Sequence, residues 1–174
     1  TALLFGMSFM SCSKTDNEPK FNYNVDKFAD LQILRYQVPG FEELSLNQKL
    51  YVYYLTEAAQ EGRDILFDQN GKYNLAIRRT LEAIYNNYNG DKEDADYKEF
   101  VVYLKRVWFS NGIHHHYATD KFVPGFSQEF FANQVKSIDP ALLPIREGET
   151  VENLIAELTP VIFDKEVMPK RINL

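Results

Sequence analysis

The stretch DYKEFVVYLKRVWFSNG, residues 96–112, carries a clear helical pattern. Its apolar residues recur at the three- and four-residue spacing that places side chains on one face of an α-helix. They are Tyr97, Phe100, Val101, Leu104, Val107 and Trp108. Asn111 and Gly112 follow directly and favour an end to the helix. The stretch therefore predicts an amphipathic helix with one buried face.

Upstream of this stretch, capping residues and apolar spacing predict further helices. Asp26 can cap a first helix that ends before Pro39, with Phe28, Leu31 and Leu34 as its apolar residues. Ser45 and Gln48 have the form of a capping box, in which each side chain bonds the other's backbone N–H. One long helix should follow, and its apolar face comprises Leu55, Ala58, Ala59, Gly62 and Leu66. The small residues on that face predict a closely packed neighbour.

The remaining helices follow from the same signals. One has its apolar positions at Ile77, Leu81, Ile84, Tyr85 and Tyr88 and ends near Gly90. Downstream, Ser127 can cap a short helix, and Thr150 can cap another that Pro160 closes. No convincing period-two alternation and no internal repeat is visible. The sequence predicts a mainly α-helical fold over residues 25–174.

Composition excludes several functional classes. Of the 174 residues, 45% are hydrophobic and 14% aromatic, which predicts a packed domain rather than disorder. The formal net charge is −6 with no basic stripe, so a nucleic-acid partner is not expected. With a single cysteine, the chain has neither a disulfide framework nor a cysteine-based zinc site.

The N-terminal residues have the form of a leader. Residues 2–10 are apolar but fewer than the ~20 needed to span a bilayer, and they resemble the end of a secretory signal peptide. Ser11 before the lone Cys12 resembles a bacterial lipobox, which implies cleavage before Cys12 and lipidation of its thiol. Residues 1–12 are interpreted as the leader and residues 13–24 as a polar tether. This predicts a lipid-anchored or periplasmic protein of the bacterial envelope, with the lipid as its only membrane contact. The alternative is a hydrophobic segment with a buried cysteine.

All histidines of the chain are adjacent, at His114, His115 and His116. On a helix, neighbouring side chains point about 100° apart, so three in a row cannot converge on one ion. In an extended segment His114 and His116 share a face and could bind a metal with Asp120 or with a carboxylate distant in sequence. A structural role in a loop and a place in the wall of a ligand cleft are the alternatives. The sequence contains no nucleophile motif such as Gly-x-Ser-x-Gly.

Two separated motifs resemble dipeptidyl peptidase III, and the bacterial members of that family are the most similar. The first, LSLNQKLYVYYLTEAAQEGRDIL at residues 44–66, is similar to the family's N-terminal helix. Its matching positions are Leu44, Ser45, Leu50, Tyr51, Tyr53, Leu55, Ala58, Ala59 and Gly62. The second, FVVYLKRVWFSNGIHHHYATDKFVP at residues 100–124, matches at Val102, Tyr103, Val107, Ser110, Asn111, Tyr117 and residues 121–124. The resemblance extends over residues 21–171.

The family comprises two-lobed zinc metallopeptidases that remove dipeptides from the N-terminus of short peptides. The resemblance implies that this chain is the N-terminal part of the first lobe of such an α+β enzyme. The family's zinc ligands and glutamate base lie in the second lobe, in a His-Glu-x-x-x-His motif and a following Glu that this sequence lacks. We therefore expect no catalytic residue and no metal ligand in this chain, which should be inactive alone. Zinc would serve the full-length enzyme through ligands outside the chain.

The resemblance also implies substrate-binding residues for a short peptide. An aromatic residue seven positions before the proline of Lys-Phe-Val-Pro helps wall the family's subsite for the substrate's N-terminal end. Tyr117 stands at that position before Pro124. Asn111 is a second candidate, although an asparagine at a helix end is also a common cap. The alternatives to a peptidase are a non-catalytic helical lipoprotein that binds a partner and a metal-binding lipoprotein that uses His114 and His116.

Overall fold

The computed structural model describes residues 21–171. The described residues fall into two compact units, with the boundary between residues 37 and 38 of the chain. The predicted leader and the lipidation site Cys12 lie outside the described residues, as does most of the predicted tether. Within residues 21–171, no helix combines the length and the apolar composition needed to cross a membrane.

The described part of the first unit is a β-hairpin. Strand β1 (Asn24–Phe28) pairs antiparallel with β2 (Leu31–Leu34), and Phe28 is opposite Leu31. The helix predicted from Asp26 is therefore wrong. The turn between the strands has two residues, and Ala29 adopts a positive φ of 48° there. The turn lacks the glycine or asparagine by which most such turns are recognised in a sequence. The short strands supplied too little alternation to reveal a period of two.

The second unit is helical, which confirms the mainly α-helical prediction for the greater part of the described chain. Its α-helices are α1 (Leu46–Glu61), α2 (Arg63–Asn70), α3 (Asn74–Asn87), α4 (Ala95–Ser110), α5 (Gln128–Ser137) and α6 (Val151–Phe163). Short 3-10 turns are formed by Phe41–Glu43 and Pro140–Leu142.

Side-chain caps begin α1, α5 and α6 where the sequence predicts them. The Ser45 hydroxyl accepts from the Gln48 N–H at 3.4 Å, and the Gln48 side chain accepts from the Ser45 N–H at 2.9 Å. This confirms the capping box of α1. The hydroxyls of Ser127 and Thr150 likewise accept backbone N–H bonds at the starts of α5 and α6. Each cap satisfies N–H groups that the first helical turn cannot pair internally.

Two helix predictions need correction. The single long helix after Ser45 is broken at Gly62 into α1 and α2. Its predicted apolar face is not covered within the described chain, because Leu55 and Leu66 keep 52% and 49% of their surface exposed. Pro160 does not close α6, which continues to Phe163. Proline removes one helical hydrogen bond, but the burial of Val161 and Ile162 after it favours continuing the helix.

The core of the second unit is formed mainly by one face each of α3, α4, α5 and α6, together with Phe67 of α2 and the loop residues Ile113 and Phe126. Its fully buried members include Ile77, Leu81, Ile84, Phe100, Leu104, Val107, Phe131, Val135, Leu154 and Leu158. The predicted buried face of α4 is thus confirmed at Tyr97, Phe100, Leu104 and Val107, whereas Val101 and Trp108 lie at its margin. This core supports the loop that leaves the C-terminal end of α4.

Candidate functional site

The histidine loop (residues 111–121) begins at a fixed helix end. Asn111 adopts the left-handed conformation with φ 52°, and its N–H donates to the carbonyls of α4. The Gly112 N–H bonds the Val107 carbonyl at 3.0 Å. This is the C-cap geometry in which orphan carbonyls of the last turn are satisfied. The structure therefore gives Asn111 the capping role, while its part in substrate binding stays a prediction.

Asparagines of α2 and α3 hold the start of the loop. The Asn74 side-chain oxygen accepts from the Ile113 N–H at 3.2 Å, and both residues are buried. The Asn70 amide donates to the Asn111 carbonyl at 3.2 Å. Ile113 contributes to the core, and the residue that follows it is buried as well. That residue is His114.

His114 is a buried histidine with one engaged nitrogen. It is 2% exposed, and its Nε2 lies 2.8 Å from the Met168 carbonyl oxygen. Its Nδ1 has no hydrogen-bond partner among the described residues. Burial lowers the pKa of His114, the Met168 hydrogen bond opposes this, and the positive charges of Lys121 and Arg171 lower it further. The neutral ring is the form that this environment favours.

His115 and His116 have different neighbours. His115 Nδ1 accepts from the N–H groups of Tyr117 at 3.2 Å and Ala118 at 3.0 Å, so it stabilises a tight turn. The His116 ring stacks on His115 with centroids 4.6 Å apart and meets the edge of Phe109 at 5.0 Å. Burial, followed by the charges of His115 and Arg171, lowers the pKa of His116. The contacts of all three histidines are those of a structured loop.

A metal site at the histidines gains no support from this geometry. Nε2 of His114 is bonded to Met168, and His115 Nδ1 is occupied by two backbone N–H groups. Across residues 21–171, no group of three or more His, Cys, Asp or Glu side chains is placed to hold a metal ion. Asp120, the carboxylate named as a candidate metal ligand for the extended segment, lies 3.9 Å from the Lys170 ammonium.

Tyr117 lies at the exposed turn of the histidine loop. Its side chain is 84% exposed, and its ring centroid lies 4.3 Å from that of His116. The backbone beneath it is fixed by the bond from its N–H to His115. The ring is thus available to a ligand while its attachment to the loop is restrained. Asn111 lies at the other end of the loop, at the cap of α4.

The chain after α6 also belongs to this site, although the sequence pattern gave it no structure. We call residues 164–171 the strap. The Lys121 ammonium donates to the carbonyls of Asp164 at 2.6 Å and Val167 at 2.8 Å. Burial lowers the pKa of Lys121, and the Asp164 charge opposes this effect. A lysine that bonds two backbone carbonyls distant in sequence leaves no local signal.

Comparisons with protein-family models and with curated proteins gave no match to this chain. The resemblance to dipeptidyl peptidase III therefore rests on the motifs at residues 44–66 and 100–124. In the structure, the first motif comprises the capped α1 and the start of α2. The second comprises most of α4 and the histidine loop, and its last residues lead toward α5.

Proposed function

We propose that this chain is the N-terminal part of a bacterial envelope dipeptidyl peptidase that depends on zinc and removes dipeptides from the N-terminus of short peptides. The proposal rests on the order and spacing of the two motifs, the second of which presents Tyr117 on an exposed turn. The chain would form part of the first lobe of a two-lobed enzyme. Its location in the envelope follows from the lipobox-like sequence around Cys12.

The residues described here do not fit the zinc itself. No suitable group of ligands occurs in residues 21–171, and one ring nitrogen each of His114 and His115 is already hydrogen-bonded within the protein. The proposal therefore places the zinc ligands and the base outside this chain. What the chain contributes is substrate binding, and the residue proposed for it is Tyr117.

The Tyr117 ring suits contact with the N-terminal end of a peptide. An aromatic ring offers a large apolar face with few rotatable bonds, so little conformational entropy is lost on binding. The His116 ring at 4.3 Å supports one side of Tyr117, and the hydroxyl supplies a polar group. Asn111 is proposed as a second substrate contact.

The experiment that tests the proposal compares two lengths of the protein. The natural gene should continue in frame beyond residue 174 to a His-Glu-x-x-x-His motif. The complete product should release a chromophore from a dipeptidyl substrate in a zinc-dependent manner, and the 174-residue chain should release none. Zinc-dependent cleavage by the 174-residue chain alone would contradict the proposal, as would a gene without the motif.

Replacing Tyr117 in the complete enzyme should weaken substrate binding. We expect Tyr117→Ala to raise KM about tenfold with a smaller change in kcat, because the apolar contact between the ring and the bound substrate is lost. Steady-state kinetics on a dipeptidyl substrate measure both constants.

Two variants serve as controls for this prediction. Tyr117→Phe keeps the ring and should retain the KM within about threefold, since only the hydroxyl is lost. Tyr36→Ala removes a tyrosine that is also highly exposed, at 74%, but lies outside the histidine loop. If Tyr36→Ala and Tyr117→Ala affected KM equally, the role of Tyr117 in the subsite would be refuted.

A non-catalytic helical lipoprotein that binds a partner is the second candidate, favoured by the surface of α1 and α2. Helix α1 has no buried residue. The exposed large apolar side chains of the two helices are Leu46, Leu50, Tyr51, Val52, Tyr53, Tyr54, Leu55, Ile65 and Leu66. Extended apolar surface of this kind marks interaction sites in soluble domains. A stop codon directly after residue 174 in the natural gene would favour this candidate over the peptidase.

A further inference from the structure

We propose that the strap and the histidine loop form an acid-sensitive clasp, which is closed when His114 is neutral and opens when His114 is protonated. The clasp is a conformational device of this chain and does not depend on the proposed peptidase function. Its parts are the buried His114 ring, the Lys121 ammonium and the backbone of residues 164–171.

The closed clasp is held by hydrogen bonds between segments far apart in sequence. His114 Nε2 meets the Met168 carbonyl, and Lys121 bonds the carbonyls of Asp164 and Val167. Backbone bonds join the Lys121 N–H to Pro169 and the Arg171 N–H to Thr119, each at 3.1 Å. His114 also forms an isolated antiparallel bridge with Lys121 across the loop.

The backbone on both sides of the clasp is conformationally disfavoured. Met168 has φ 52° and Thr119 has φ 65°, a region that residues other than glycine adopt at an energetic cost. The surrounding hydrogen bonds must offset that cost. Weakening the bonds should therefore favour release of the strap.

The hydrogen bond to Met168 fixes the tautomer of the neutral His114 ring in the closed clasp. A carbonyl oxygen only accepts, so Nε2 must carry the hydrogen that is donated to Met168. The neutral ring then has a bare Nδ1, which is buried without a partner among the described residues. Adding a proton there would create a buried N–H with no acceptor among the described residues, on a ring that also gains a charge.

The charges around the ring act in the same direction. Lys121 lies across the loop from His114, and Arg171 approaches the His116 carbonyl at 3.4 Å, so both bring positive charge to this region. The rings of His115 and His116 follow His114 in the loop and stack on each other with centroids 4.6 Å apart. Among nearby carboxylates, Asp120 lies 3.9 Å from Lys170, and Asp164 accepts from the Glu166 N–H. Protonated His114 would thus be a further cation in a desolvated, positively charged environment.

The direction of the pH effect follows from these contacts. Burial first, and then the charges of Lys121 and Arg171, lower the pKa of His114 in the closed clasp, while its bond to Met168 opposes them. In the open state the ring is solvated and its pKa returns toward about 6.5. The stability that neutral His114 gives the clasp is complete above that value and is lost as pH falls through the lowered pKa. The clasp should be closed at neutral pH and open in acid.

Hydrogen exchange of the 174-residue chain tests the proposal. His114→Gln replaces the ring by a neutral amide that can still donate to Met168 but does not titrate in this range. The quantity compared is the exchange rate of the strap amides in the wild type divided by their rate in His114→Gln. We expect this ratio to be about tenfold larger at pH 5 than at pH 7.5. Comparing both proteins at the same pH cancels the chemical dependence of exchange on pH.

His115→Gln is the matched control, and its strap should keep the acid response of the wild type. An acid response of equal size in His114→Gln and the wild type would overturn the proposal. If His114→Gln does not fold by circular dichroism, NMR titration of the wild type decides instead. The His114 ring should then titrate below its ordinary pKa together with the amides of Val167 and Met168. Titration of His114 without change in those amides refutes the clasp.

Discussion

Phe100→Ala should lower the free energy of unfolding by about 3–5 kcal/mol, which is the usual cost of deleting a buried phenylalanine ring. Phe100 is fully buried near the middle of α4. Its ring contacts Phe126 with centroids 5.5 Å apart and Phe130 with centroids 5.8 Å apart. The substitution removes these aromatic contacts and leaves a cavity where α4 meets the chain leading into α5.

Urea unfolding monitored by circular dichroism measures the loss. Phe109→Ala is the matched control, because Phe109 lies on the same helix but is 41% exposed, with its ring against His116. That variant should lose about 1 kcal/mol or less. Equal losses at both positions would show that the packing around Phe100 does not dominate the stability of the helical unit.

Gly112→Ala should destabilise the chain by about 2–4 kcal/mol through steric overlap and backbone strain together. Gly112 has φ 151°, a conformation that side chains disfavour. A Cβ atom added there would overlap the Asn74 carboxamide, with its Cγ only 2.7 Å away. Asn74 cannot move aside without losing the bond from the Ile113 N–H. The added methyl group therefore displaces the buried attachment of the histidine loop.

Gly148→Ala separates the two contributions to that loss. Gly148 also has a positive φ, at 80°, but an added Cβ there meets no atom within 4 Å. Only the conformational cost remains, and we expect about 1 kcal/mol. Thermal melts of the two variants provide the comparison. If Gly112→Ala lost no more stability than Gly148→Ala, the steric overlap with Asn74 would be contradicted.

Much of the helical unit was predictable because its signals are local. Ser45, Ser127 and Thr150 cap helices through N–H groups three residues away, so each contact involves one short window of sequence. The buried face of α4 follows from helical periodicity at Phe100 and Leu104 for the same reason. Strand β2 shows the limit of such signals, since its four residues are too few to establish a period.

The candidate site was predictable in place but not in chemistry. The sequence drew attention to the adjacent histidines and, through the resemblance, to Tyr117, and the structure places Tyr117 at an exposed turn. The hydrogen bond of His114 could not be predicted from the sequence, because its partner Met168 is 54 residues away along the chain. Nothing near Lys121 in sequence indicates that it bonds the Asp164 carbonyl. The assignment of Tyr117 to a peptide subsite still rests on the resemblance.

The sequence by itself determined the starts of α1, α5 and α6, the end of α4 at Asn111 and the apolar face of α4. These depend on backbone conformation and on side chains within a few residues, which are fixed by the local order of amino acids. Only the tertiary structure decided that α6 continues past Pro160 and that the strap lies against the histidine loop. In those cases burial and hydrogen bonds between distant segments outweighed local preference. Such contacts exist only once the chain has brought those segments together.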